Sequence, residues 1–110
     1  MLIVEDDEAS ALALKLILRR YGWQVEVAPT VAAANRYLDA NTPDTIILDL
    51  MLPDGEGATI LRRVRADGLD VNVTITTASS DPDRLDQVRA LGPDCLLKKP
   101  LDIFELLKVI

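Results

Sequence analysis

The chain has 110 residues, 49% of them apolar and only 4% aromatic, enough for one domain built around Leu, Ile, Val and Ala. Twelve basic residues against eighteen acidic ones give a net charge of −6, which argues against a nucleic-acid contact by these residues. No histidine is present, which excludes a histidine nucleophile, a phosphohistidine and an imidazole-ligated metal, and the single Cys95 cannot form an internal disulfide.

Leu2-Ile3-Val4 reads as a short strand running into Glu5-Asp6-Asp7, with no basic segment before it to make a signal peptide. Ala11, Leu12, Leu14, Ile17 and Leu18 then recur at helical spacing, predicting a helix over roughly residues 8 to 21, capped by Asp6 or Asp7 and ended by Gly22. Lys15, Arg19 and Arg20 break this segment, so nothing approaches the ~18 to 20 apolar residues of a membrane helix. A reducing, cytoplasmic setting without membrane contact is the expectation. Gln24 to Val27 alternate as a second strand, and Pro29-Thr30 opens a helix carrying Val31, Ala34, Tyr37 and Leu38. Thr45 to Asp49 form a third strand, Leu52-Pro53-Asp54-Gly55 a turn, and Ile60, Leu61 and Val64 a third helix ended by Gly68. Val71, Val73 and Ile75 mark the fourth strand. Asp81-Pro82 starts a fourth helix whose sparse face of Leu85, Val88 and Leu91 makes it the least firmly packed before Gly92 stops it. Cys95-Leu96-Leu97 is the fifth strand, running into Lys98-Lys99-Pro100. The last segment, Leu101 to Ile110, has Asp102 as cap and Phe104, Leu107 and Val109 or Ile110 as anchors. It ends without a stop signal and the chain begins in a strand, so residues 1–110 are expected to be a single domain trimmed at both ends or excerpted from a longer protein.

Five strand-like runs alternating with helices indicate an α/β fold with a parallel sheet. Three runs deliver charge at their carboxyl ends: Glu5-Asp6-Asp7, Asp49 and Lys98-Lys99. Neighbouring parallel strands would bring these to one sheet edge, where open α/β sheets place ligands. Carboxylates gathered there repel one another unless a cation sits among them.

Four motifs carry a resemblance: Glu5-Asp6 after the first strand, Asp49 in an Asp-x-x-x-Pro-x-x-x-Gly stretch through Pro53 and Gly57, Thr77-Ala78 after the fourth strand, and Lys99-Pro100 after the fifth. In this order, over the whole chain, they resemble the receiver domain of two-component response regulators. The resemblance implies a three-layer, doubly wound, flavodoxin-like fold of five βα units with strand order 2-1-3-4-5. It implies that Asp49 accepts a phosphoryl group from a phosphohistidine, forming an acyl phosphate. Asp6 would ligate Mg²⁺ (or Mn²⁺) directly, Glu5 through water, and Asp49 and the main-chain carbonyl of Met51 would complete the set. Thr77 would donate its hydroxyl to a phosphoryl oxygen and Lys99 would pair with another, aimed inward by a Lys99-Pro100 bond often cis in the family. Such a domain is no conventional enzyme but promotes its own phosphorylation and acyl-phosphate hydrolysis. The implied partners are a sensor histidine kinase or phosphotransfer protein, an output domain or partner protein, and a second copy in a homodimer.

Simpler readings exist for each residue. Asp49 could merely end a buried strand, Asp6 could cap a helix as Asp7 does, Thr77 could be one more strand threonine beside Thr74 and Thr76, and Lys99 a surface lysine like Lys98. The chain departs from the family at Leu96, where an aromatic usually follows the threonine's movement; a leucine has no ring to report it. A receiver-like interaction module without phosphorylation is therefore the alternative function. A haloacid-dehalogenase-type phosphatase or a topoisomerase-primase-like domain would need Asp-x-Asp, which Asp49-Leu50-Met51 lacks. Three acids after the first strand also oppose a flavodoxin-type phosphate loop.

Overall fold

Runs of Leu, Ile and Val with β-branched neighbours form the centre of the computed structural model, which describes residues 1–110. In chain order the elements are β1 (Leu2–Val4), α1 (Glu8–Arg20), β2 (Glu26–Ala28), α2 (Val31–Ala40), β3 (Thr45–Asp49), β4 (Met51–Leu52), β5 (Gly55–Glu56), α3 (Ala58–Ala66), β6 (Asn72–Thr77), α4 (Pro82–Arg89), β7 (Cys95–Lys98) and α5 (Ile103–Val109). Five strands pair in parallel in the order β2-β1-β3-β6-β7, and β4 and β5 form a separate antiparallel hairpin. Setting the hairpin aside, this is the expected 2-1-3-4-5 order.

Strand alternation sorts the core onto two faces. Leu2, Val4, Ile46, Leu48, Val73 and Ile75 join Ala34, Leu38, Leu61, Val64 and Val88 in a cluster of 16 buried residues, whereas Ile3 and Ile47 meet Leu18, Val25 and Leu106 in a cluster of five. Most of the apolar burial, and so most of the hydrophobic stabilisation, lies on the α2-α3-α4 face.

Local signals set the element ends. Asp7, Thr30, Asp81 and Asp102 each cap the helix that follows them, accepting from Ser10, Ala33, Asp83 and Phe104 backbone N–H groups respectively. Asp7 also accepts from the Ser10 hydroxyl. Gly22 turns the chain after α1 at φ 93°, a conformation other residues resist.

Several sequence expectations shift. Phe104 is no anchor: it is 69% exposed, while Leu106 is fully buried with Ile103 and Leu107 packed nearby. The Asp102 cap starts α5 at Ile103, and that phase puts positions 103, 106, 107 and 110 toward the sheet and turns 104 outward. On α1, Leu12 and Ile17 are likewise exposed, and Ala11 and Leu18 carry the buried face. β2 lies one to two residues later than expected because Val4 of the three-residue β1 pairs with Ala28. β6 runs two residues past Ile75, through Thr76 and Thr77, which pair with Asp49 and Lys98. The Pro53-Asp54 turn closes the β4-β5 hairpin. Leu85 and Val88 are both buried on the sparse face of α4.

Candidate functional site

Strand pairing explains why residues 94 positions apart meet. Val4 pairs with Leu48 across β1 and β3, so Glu5 and Asp49 follow at adjacent strand ends, and β6 and β7 bring Thr77 and Lys99 to the same edge. The Lys99 Nζ donates to Glu5 Oε1 at 2.9 Å and to Asp49 Oδ2 at 3.0 Å. One carboxylate oxygen each from Glu5, Asp6 and Asp49 lies within 4.8 Å of the others, with Glu5 and Asp49 buried and Asp6 exposed.

Three carboxylates against one lysine leave an excess of negative charge in a partly dry pocket. Glu5 Oε2 is buried without a hydrogen-bond partner. An all-oxygen donor set with one orphaned carboxylate oxygen and one exposed, water-accessible aspartate fits a hard divalent cation that keeps some of its waters.

Gly57 makes the stretch after Asp49 compact. Its N–H donates to the Leu50 carbonyl at 2.8 Å, and a Cβ there would overlap the Asp49 carbonyl, so only glycine fits beneath the end of β3. Between these points Met51 donates its N–H to Asp49 Oδ1 at 3.2 Å, while its side chain is 66% exposed. Thr77 is buried, and its Oγ1 accepts from the Ser79 N–H at 3.0 Å. Its hydroxyl hydrogen is not used by that bond. The Thr77 carbonyl also accepts from the Lys99 N–H at 2.8 Å, tying the two residues together, and the Lys99-Pro100 peptide is cis. Thus Glu5, Asp6, Asp49 and Lys99 are gathered directly, Thr77 and Met51 lie beside them, and Asp7 and Lys98 stay outside as a cap and an exposed strand end. Leu96 pairs with Ile75 and packs on the larger core. Ser79, as the partner of Thr77, was not singled out in the sequence, since a serine two residues beyond a strand carries no distinctive signal.

Burial pushes the Glu5 carboxyl up to about 7; sharing and repulsion with Asp49 add to this, and Lys99 opposes it. Burial alone would lower the Lys99 ammonium, but its hydrogen bonds to Glu5 and Asp49 outweigh that and raise it. A raised carboxylate pKa means that the folded state binds a proton that the unfolded chain releases above its ordinary value of 4.5. The contribution is fully present below 4.5 and is lost as pH rises through about 7. Asp7, held low by the Ser10 hydroxyl and N–H, and Asp54, held low by the Ala32 and Val31 N–H groups, titrate below this window. Thermal denaturation of the metal-free protein should therefore show stability rising by about 2 kcal/mol from about pH 8 to pH 5, with Glu5→Gln removing most of the slope. An unchanged slope in that variant would assign the effect to another group.

A sequence model described as the response regulator receiver domain matches residues 1–110. The transcriptional regulatory protein TrcR of Mycobacterium tuberculosis is 37% identical over 107 residues, 96% of this chain and 41% of the relative. A response regulator receiver domain protein (CheY-like) from Methanospirillum hungatei superposes with a TM-score of 0.91 at 26% identity, covering 97% of this chain and 86% of that one. A response regulator protein from Burkholderia pseudomallei, solved with a phosphorylated aspartic acid, calcium ion and citrate, has a TM-score of 0.89 at 25% identity over 98% of this chain and 64% of its own. The chain spans about half or less of the length of the curated relatives it matches. No helix is long and apolar enough to cross a membrane.

Proposed function

The chain belongs to the response regulator receiver domain family of two-component systems, and from that premise we propose that Asp49 accepts a phosphoryl group from a phosphohistidine on a sensor histidine kinase or phosphotransfer protein. The observation that carries this is the Lys99 ammonium bridging Glu5 and Asp49 within a three-carboxylate cluster at the sheet edge. An Asp49 oxygen attacks phosphorus, the phosphorus–nitrogen bond breaks, and the imidazole leaves with the bonding electrons, giving an acyl phosphate. Lys99 then faces a phosphoryl oxygen as a fixed positive charge, and the free Thr77 hydroxyl hydrogen serves another.

Glu5, Asp6, Asp49 and the Met51 carbonyl would hold Mg²⁺ or Mn²⁺, which when bound supplies positive charge toward the transferring group. The modification changes partner binding by this domain, in a cytoplasmic setting, with an output segment or a second copy as receivers of the signal.

Intact-mass measurement after incubation with acetyl phosphate and Mg²⁺ tests the reading. The expected result is a gain of one phosphoryl group, mapped to Asp49 and prevented by chelating the metal. No gain, or a gain mapped elsewhere, would overturn it.

A further inference from the structure

The β4-β5 hairpin follows the phosphoacceptor directly, and with only two residue pairs it cannot hold its own shape in water. Its base is fixed by the Gly57 to Leu50 bond and by buried Leu50. Its tip is fixed from a distance. Asp54 accepts from the Val31 N–H at 2.8 Å through Oδ1 and from the Ala32 N–H at 2.9 Å through Oδ2. Thr30 Oγ1 takes the next N–H, that of Ala33, at 3.0 Å. Three of the free N–H groups of the first turn of α2 are thereby satisfied, two of them by a residue more than twenty positions away. On the hairpin's other flank Glu56 makes a single looser contact with Arg84 on α4, at 3.4 Å.

We propose that Asp54 is a positioning residue for the phosphoacceptor: by capping α2 from the hairpin tip, it fixes the loop whose Met51 N–H orients the Asp49 carboxylate. The link runs from the α2 N-terminus through Asp54 and the hairpin to Met51, and from there to Asp49 Oδ1. α2 is consequently coupled to the site, and a change in the Asp49 environment reaches α2 without passing through Leu96. The role in phosphoryl uptake rests on the proposed function; the role in holding the loop does not.

Thr30 supplies the control, because it caps the same helix but makes no hydrogen bond to the hairpin. Amide hydrogen exchange would be compared in the metal-free wild type, Asp54→Ala, Asp54→Asn and Thr30→Ala, with phosphoryl uptake from acetyl phosphate and Mg²⁺ measured in parallel. The Met51 and Gly57 amides should exchange about fivefold faster or more in Asp54→Ala, to an intermediate degree in Asp54→Asn, and within about twofold of wild type in Thr30→Ala. Uptake should slow about tenfold in Asp54→Ala and stay near the wild-type rate in Thr30→Ala. Equal effects of the two alanine variants on both amides would overturn the proposal and reduce Asp54 to a helix cap. If wild type takes up no phosphoryl group, the functional reading falls and the exchange comparison still decides the inference. Should Asp54→Ala not fold, Asp54→Asn carries the same comparison, and its matching Thr30→Ala would overturn the proposal.

Discussion

Asparagine at position 49 is expected to abolish phosphoryl uptake and, in the same protein, to raise the melting temperature of the metal-free state. An amide has no anionic oxygen to attack phosphorus, so no acyl phosphate can form. The stability gain follows from the charge balance at the strand tips. Glu5 and Asp49 share the single Lys99 ammonium, and Asp6 adds a third carboxylate nearby. Asp49→Asn keeps the size of the side chain and an oxygen for Lys99 while removing one of the repelling charges from a buried position. Near neutral pH this should stabilise the fold by about 1 kcal/mol, a rise of several degrees in a domain of this size. Mg²⁺ should narrow the gap, because a ligand that binds the folded wild type raises its stability and loses a carboxylate partner in the variant. Thermal scans with and without Mg²⁺ check this. A metal-free variant that melts below wild type would show that Asp49 stabilises the fold and that the cluster is not frustrated.

The charge excess at this edge is legible in the sequence, because its causes lie in strand ends. Apolar runs ending in acids and a lysine, with helices between them, place those charges on one edge of a parallel sheet, and Glu5, Asp49 and Lys99 meet there. Caps such as Asp7 and Thr30 and the stop at Gly22 were equally readable, since each acts within four residues. What was not readable depends on phase or on distance. Phe104 and Leu106 are both large and apolar; the Asp102 cap fixes where α5 begins, but which face of the helix turns inward depends on its packing with Ile3, Leu18, Val25 and Ile47, all remote in sequence. The extent of β6 through Thr77 depends on partners in β3 and β7 that a local pattern does not contain. The contact of Asp54 with Val31 and Ala32 spans more than twenty positions, and a Pro-Asp-Gly sequence explains itself as a turn without it.

Lys99→Ala should separate two roles that one ammonium group now fills. In the folded state it is the cation in hydrogen-bonding contact with both Glu5 and Asp49, themselves about 90% buried, so its removal leaves two carboxylates without a counter-charge. Lys99 itself is part exposed, which moderates the loss, and the metal-free variant should be destabilised by about 2 kcal/mol near pH 8. The deficit should shrink as pH falls through about 7, where Glu5 already tends to take a proton in the wild type and would do so more readily without its lysine. Mg²⁺ should also restore stability, and bind more tightly than to wild type, because it no longer competes with an ammonium for the same oxygens. Uptake of the phosphoryl group should not recover with it. A fixed positive charge facing a phosphoryl oxygen contributes about a hundredfold in rate when the donor is set in place beforehand, and a metal held by Glu5, Asp6 and Asp49 would not replace this second, lysine-borne charge. Stability measured against Mg²⁺ concentration, alongside phosphorylation rates at saturating Mg²⁺, distinguishes the two roles. Recovery of both together would reduce Lys99 to a counter-ion for the carboxylates, and a rate equal to wild type would remove it from the chemistry.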